Sequence, residues 1–281
     1  MWQFEAIGTK WSIETPNDLS HDTMAAIEEL IENFDKTYSR FREDSLITKI
    51  ARQAGTYIFP DDASELIGLY QRLYRATDGA MSPLIGASLS NLGYDKDYSL
   101  KMKESVHVPR WESSLDWNGA TVTAHQPVLL DFGAVGKGYL VDLIATELES
   151  RGVRIYTIDA SGDIRHRGNE YQTIGLENPH DESRVIGVMS IKNQSLCASS
   201  TNRRRWGKHL HHVIDGRTGM PSNDILSTWV ISSSTAMADG LATALFFVGP
   251  EKLEDWDFQY VRLHTNGKIE HSEGFVGELF I

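Results

Sequence analysis

The spacing of apolar residues changes several times along this chain and never settles into one period. Trp2 and Phe4, then Trp11 and Ile13, alternate with polar residues on either side of Gly8, which predicts a strand hairpin. From about residue 20 to 37 the spacing turns helical through Met24, Ile27, Leu30, Ile31 and Phe34. A second helix is expected to start near Asp44 or Ser45, whose side chains can cap it. A third runs from about Asp62 to Thr77 and stops at Asp78-Gly79. Val128–Phe132 reads as a strand leading into a glycine-rich turn, and a helix follows from Gly136-Lys137 to Arg151-Gly152. Strands are expected at about 155–159, 173–176, 185–191, 210–215 and 226–232, then a helix over 236–248 closed by Gly249-Pro250. Strand runs and helices mix without the regular β-α-β order that a Rossmann fold requires. The pattern predicts an α+β fold with mostly antiparallel strands.

Composition narrows the function classes. The 281 residues carry a net charge of −12, which argues against non-specific nucleic-acid binding and, read alone, against phosphorylated small molecules. A single cysteine, Cys197, excludes an intramolecular disulfide framework and a cysteine zinc cluster. It lies in an apolar, strand-like run and reads as a buried inert thiol. The longest apolar stretch, Leu241 to Val248, is far short of the ~20 residues that span a bilayer. Met1-Trp2-Gln3-Phe4-Glu5 lacks the basic start and apolar run of a signal peptide, so a cytoplasmic protein is expected.

Three stretches can carry chemistry. In Asp131-Phe132-Gly133-Ala134-Val135-Gly136-Lys137-Gly138-Tyr139, small residues and a helix start offer backbone N–H groups to an anion. Walker A spacing fails because position 131 is Asp and 138 is Gly; a dinucleotide fingerprint fails because 141 is Val. A tight turn explains the segment equally well. Asp239 and Thr243 are four apart on one helix face and offer hard oxygen ligands of the kind Mg²⁺ takes; capping or an ion pair would also account for them. Between Arg203 and Gly219 five basic residues meet one acid, a local +4, with His209, His211 and His212. That segment reads either as a phosphate-binding loop with a histidine base or as a solvated basic loop. His211 and His212 are adjacent, so on a strand only one faces a given site.

The order of these segments is similar to that of the ApbE family of FAD:protein FMN transferases. The resemblance rests on Gly8-Thr9, Tyr38-Ser39-Arg40-Phe41, Thr77-Asp78-Gly79-Ala80, Asp131…Gly133…Lys137-Gly138-Tyr139…Asp142, Ser161-Gly162-Asp163-Ile164, Ala198-Ser199-Ser200, His212-Val213-Ile214-Asp215…Thr218-Gly219 and Ala238-Asp239…Ala242-Thr243-Ala244-Leu245. It extends from about residue 4 to 250. It implies one T-fold-like α+β domain over residues 1–281, with the site in a cleft between two lobes. It further implies a flavin-trafficking enzyme that binds FAD and cleaves its diphosphate with Mg²⁺. FMN passes to a Ser or Thr hydroxyl of an acceptor flavoprotein, and AMP is released. By matching position, Asp239, Thr243 and the Gly136 carbonyl become metal ligands, and His212 becomes the base for the acceptor hydroxyl. Ser39, Lys137, Asp142, Asp163 and Thr218 fall in or near the FAD site. An FAD pyrophosphatase using water, or a non-enzymatic flavin carrier, is the competing expectation.

The chain also departs from the family pattern. Met81-Ser82-Pro83-Leu84 stands where the family usually has Phe-Asp-Pro-Thr, and Gly216 where Pro follows Ile-Asp. Ser161 replaces the first glycine of a Gly-Gly-Asp turn, and Ala51 replaces an Asn. These changes fall on the flavin side and leave the metal and base positions intact.

Overall fold

The computed structural model describes residues 1–103, 107–202, 204–207 and 210–280. Among these residues an eight-stranded sheet is the spine. Its spatial order is Trp2–Ala6, Thr9–Glu14, Tyr156–Asp159, Asp163–Arg167, Gln194–Ser200, Ile225–Ser232, Gln259–His264 and Ile269–His271. Every neighbouring pair is antiparallel. A three-stranded sheet of Gly277–Leu279, Asp181–Ile191 and Gln172–Asn178 packs on one face, and a second, of Gly55–Ile58, Thr121–Ala124 and Leu115–Asn118, lies to the side. The α+β architecture expected from the pattern is the one observed.

Seven α-helices are described: α1 (His21–Tyr38), α2 (Leu46–Arg52), α3 (Ala63–Ala76), α4 (Gly86–Asn91), α5 (Trp111–Ser114), α6 (Gly136–Ser150) and α7 (Thr235–Ala244). Three start on a serine that accepts a backbone N–H from three residues on: Ser20 for α1, Ser45 for α2 and Ser234 for α7. α3 stops where Asp78 turns left-handed (φ 51°) and Gly79 N–H reaches back to the Tyr74 carbonyl at 2.8 Å. No helix of the described residues is long and apolar enough to cross a membrane.

The sheet divides the core by strand alternation. Leu196, Trp229, Ile231, Val261 and Leu263 face the small sheet with Leu176, Met189 and Ile191. Cys197 and Val230 point the other way, into the larger core under α6 and α7. α6 and α7 press together there, and α1 and α3 close over them.

Some expectations change. Val128–Phe132 buries Val128, Leu130 and Phe132 in alternation, but it joins no sheet. Its backbone bonds to loops instead, with Asp131 N–H donating to the Pro83 carbonyl at 2.7 Å. The strand expected at 210–215 is two short bridges, Leu210–His211 and Ile214–Asp215. Between them the Val213 N–H is taken by the His211 ring at 3.2 Å, so the ladder breaks. The helix expected over 236–248 ends at Ala244, where Phe246 and Phe247 turn to bonds three residues back.

The contact between α6 and α7 turns on Gly138. A Cβ there would sit 2.4 Å from the Thr235 carbonyl oxygen and 2.8 Å from Asp239 Cβ. At Gly68, within α3, a Cβ would meet nothing within 4 Å. We therefore expect Gly138→Ala to destabilise the protein by about 1–3 kcal/mol. Gly68→Ala should stabilise by about 0.4–1 kcal/mol. Denaturant unfolding of the two variants tests this, and equal effects would contradict the close approach.

Candidate active site

Thr235, Asp239 and Thr243 recur every fourth residue and so share one face of α7. That face lies along the Gln194–Ser200 strand, whose residues 195, 197 and 199 point toward it. Ser195 Oγ is 2.8 Å from Thr235 Oγ1, and Ser199 Oγ is 3.2 Å from Thr243 Oγ1. Between them the Cys197 thiol donates to the Thr235 carbonyl at 3.5 Å. From α6, the Gly138 N–H donates to Asp239 Oδ2 at 3.0 Å. One residue earlier, the Lys137 ammonium donates to the Ala160 carbonyl at 2.8 Å and lies 3.0 Å from Asp163 Oδ2.

This corner concentrates charge out of water. Burial, together with the negative charge of Asp163, pushes the Asp239 carboxyl well above the usual carboxylate range. Burial raises Asp163 too, with Lys137 opposing it. Burial works against the Lys137 charge, but the two carboxylates outweigh it and raise its pKa. Neither Asp163 oxygen has an aligned hydrogen-bond donor, so the Lys137 contact is an ion pair only. Burial lifts the Cys197 thiol well above its ordinary value, in keeping with an inert sulfur.

The two neighbouring histidines differ. His211 holds the Ser222 carbonyl with Nε2 at 2.7 Å and accepts the Val213 N–H on Nδ1 at 3.2 Å, so both ring nitrogens are engaged. His212 Nδ1 is buried and has no partner. Burial, then the charge of Arg204, lowers the His212 pKa to about 3.

A cavity of about 640 Å³ opens onto these groups. Gly136, Lys137, Asp239, Thr243, Ser199 and His212 are among its lining residues. So are Arg204, which lies 5.7 Å from the Tyr94 ring centroid, and Phe41 and Tyr98, stacked at 7° and 5.8 Å. The Arg40 guanidinium lies 4.2 Å from the Phe41 ring centroid and 5.0 Å from that of Tyr94. It is fixed by Asp131 Oδ2 at 2.5 Å and the Tyr94 carbonyl at 2.8 Å. Trp206 stacks on Tyr94 and donates its indole N–H to the Leu92 carbonyl at 2.8 Å, which ties the basic segment to the cavity lining.

Of the residues singled out in the sequence, the cavity brings together Ser39, Gly136, Lys137, His212, Asp239 and Thr243. Asp163 sits fully buried behind Lys137. Asp142 and Thr218 are not among the lining residues. Asp142 spends its carboxylate on the start of α7, and Thr218 lies exposed in the 215–219 turn, where its hydroxyl accepts the Met220 N–H at 3.2 Å. Of the local basic excess, Arg204 faces the cavity, while Arg217 is bound to Asp215 at 2.6 Å. Arg203, Lys208 and His209 lie outside the described residues. Among the described residues no group of three or more His, Cys, Asp or Glu is arranged around a metal position. The sequence reading assigned no role to Arg40, Tyr94, Tyr98, Ser199 or Arg204. Arg40 and Ser199 lay inside quoted motifs, but nothing local marks an arginine that pairs with Asp131 ninety-one residues away.

The model of the ApbE family matches residues 7–260, and the chain belongs to that family. A FAD:protein FMN transferase of Klebsiella pneumoniae (strain 342) is 30% identical over 252 residues, covering 83% of this chain and 78% of that protein. One from Escherichia coli (strain K12) is 24% identical over 276 residues, covering 89% and 79%. The crystal structure of the ApbE protein from Thermotoga maritima superposes with a TM-score of 0.85 at 21% identity, covering 97% of this chain and 96% of that one.

The depressed His212 pKa has a stability consequence. Its folded value lies below the open-chain value, so the unfolded chain takes up a proton that the fold refuses. Stability from this group is complete above the open-chain pKa of about 6.5 and is lost as pH falls from there toward the folded value. His212→Gln should therefore flatten the decline in thermal stability between about pH 7.5 and 5. Melting curves across that range test it, and an unchanged decline would mean that His212 ionises in the fold as freely as in the open chain.

Proposed function

We propose that this chain transfers FMN from FAD to a Ser or Thr hydroxyl of an acceptor flavoprotein and releases AMP, with Mg²⁺ as cofactor. The observation that carries this reading is a cavity with aromatic lining that also takes in buried Asp239, half-buried Thr243 and His212, whose Nδ1 has no partner. Membership of the ApbE family and the activity named for its relatives support it. We read residues 1–281 as one domain with the cavity as its cleft.

The corner suits a hard divalent cation. Two buried carboxylates face one lysine, Asp163 lacks hydrogen-bond donors, and Mg²⁺ commonly takes few protein oxygens together with substrate phosphates. Asp239, Thr243 and the Gly136 carbonyl would hold it. Bound there, it supplies positive charge for the diphosphate and the departing phosphate. Lys137 holds Asp163 by charge, and since only the Ala160 carbonyl takes one of its three N–H groups, it keeps donors for an anion in the cavity that it lines. Phe41 and Tyr94 are already covered by Arg40, Tyr98 and Trp206, and the exposed Tyr98 is the aromatic lining residue left to meet a ring system. Arg204, which has no carboxylate partner among the described residues, meets the anionic linker.

The acceptor oxygen forms a bond to the FMN phosphorus, and the anhydride bond breaks. AMP leaves with the bridging oxygen, and the hydroxyl proton passes to His212 Nδ1. The imidazole is neutral before FAD binds, as a base must be. Burial is the main cause of the low His212 pKa, and an anion beside Arg204 would offset the smaller part that comes from that charge.

Incubation with FAD, Mg²⁺ and a flavoprotein acceptor, read by intact mass, tests the proposal. An FMN-sized gain on the acceptor is expected, reduced about 100-fold or more in His212→Gln. Asp239→Ala should abolish it. Absence of any gain while FAD is bound would refute the transferase reading, and release of FMN and AMP without an acceptor would make the protein a pyrophosphatase.

A further inference from the structure

Asp142 lies outside the cavity, yet it is tied to the start of α7, the helix that carries Asp239 and Thr243 into the lining. Its Oδ1 accepts the Thr235 N–H at 3.0 Å and the Thr235 hydroxyl at 2.8 Å, and its Oδ2 accepts the Ala236 N–H at 2.9 Å. Arg165 Nη1 donates to the same Oδ1 at 2.9 Å. Asp142 is four residues beyond Gly138, so both face α7 from one side of α6. Thr235 is four residues before Asp239 on the matching face of α7. The helices therefore meet in two antiparallel rungs, Asp142 on Thr235 and the Gly138 N–H on Asp239.

We propose that Asp142 is a positioning residue: by fixing Thr235 against α6 it sets where Asp239 and Thr243 stand relative to the Gly136 carbonyl, and so the affinity of the site for a divalent cation. The inference rests on the metal reading given above. Thr235 is the hub of this arrangement. It is fully buried, and its hydroxyl also meets Ser195 Oγ at 2.8 Å, while its carbonyl packs under Gly138 and accepts the Cys197 thiol. A slip at this rung shifts the start of α7 and carries Asp239 and Thr243 with it. An ordinary cap would act differently. Ser234, the residue before, accepts the Met237 N–H at 3.1 Å and touches no part of α6 in these bonds. Losing it weakens the helix end without releasing the rung.

The test is Mn²⁺ binding by the FAD-free protein, read as free Mn²⁺ by electron paramagnetic resonance. Asp142→Asn keeps the shape but turns one acceptor oxygen into a donor. It should raise the Mn²⁺ dissociation constant about 10- to 100-fold, the range for groups that orient metal ligands. Thr235→Val, which removes the hydroxyl from the other side of the rung, should shift it in the same direction. Ser234→Ala should lower the melting temperature while leaving the dissociation constant within about twofold of wild type, since it orients no ligand. If Asp142→Asn does not fold, Thr235→Val decides. Unchanged Mn²⁺ affinity in a folded rung variant overturns the inference, as does an equal loss in Ser234→Ala. A wild-type protein that binds no Mn²⁺ overturns the metal reading and this inference with it.

Discussion

The arrangement depends on a spacing match between α7 and the Gln194–Ser200 strand. Four helical residues advance about 6 Å, and two strand residues advance about 6.6–6.8 Å. Thr235, Asp239 and Thr243 can therefore run alongside Ser195, Cys197 and Ser199, and the outer pairs meet hydroxyl to hydroxyl at 2.8 and 3.2 Å. At the middle position the buried Cys197 thiol donates to the Thr235 carbonyl at 3.5 Å, while Asp239 takes the Gly138 N–H from α6.

Charge follows the same economy of placement. The chain is strongly acidic overall, but near the cavity nearly every cation is already committed. Arg40 is held by Asp131, Arg42 by Glu32, Asp35 and Asp44, and Lys137 by Asp163. Of the arginines lining the cavity, Arg204 has no carboxylate partner among the described residues. The basic run in the sequence overstates what an anion would meet, because Arg217 turns back on Asp215. What remains is a corner where two carboxylates exceed one ammonium in low dielectric. Unbalanced charge of this kind is costly in low dielectric.

The long helices and several strands of the central sheet are legible in the sequence because each carries several periods of its pattern. α1, α3 and α6 bury full faces, and Ser45 announces the cap of α2, whereas the short α4 and α5 and the Asp163–Arg167 strand leave too little pattern. The Gly55–Ile58, Leu115–Asn118 and Thr121–Ala124 strands escaped notice because four residues hold too few alternations to stand out. Val128–Phe132 misled because burial alternates there without a partner strand. At the site, Asp239 and Thr243 were visible as a helical pair in an apolar segment. The preference for His212 over His211 came from position; the structure adds that His211 spends both nitrogens on the backbone, whereas His212 keeps one free. Asp142, placed in or near the FAD site by its match to the family pattern, sits one turn beyond Gly138, bonds to the start of α7 and is not among the residues that line the cavity.

Two of the departures from the family pattern are one local change. Ser82 and Gly216 are far apart in sequence but touch in space. A Cβ on Gly216 would lie 2.6 Å from the Gly79 carbonyl oxygen, 2.9 Å from Ser82 Cβ and 3.0 Å from the Ala80 carbonyl oxygen. Gly216 also donates its N–H to that Ala80 carbonyl at 2.7 Å, a bond that proline cannot make. The 79–82 segment occupies the space that a side chain at 216 would fill, and a backbone hydrogen bond joins the two. Ser82 still lines the cavity, but its hydroxyl is turned to the Leu84 N–H at 3.2 Å. The wall near Ser82 and Gly216 is therefore held by backbone pairing, and it presents no carboxylate there to whatever enters.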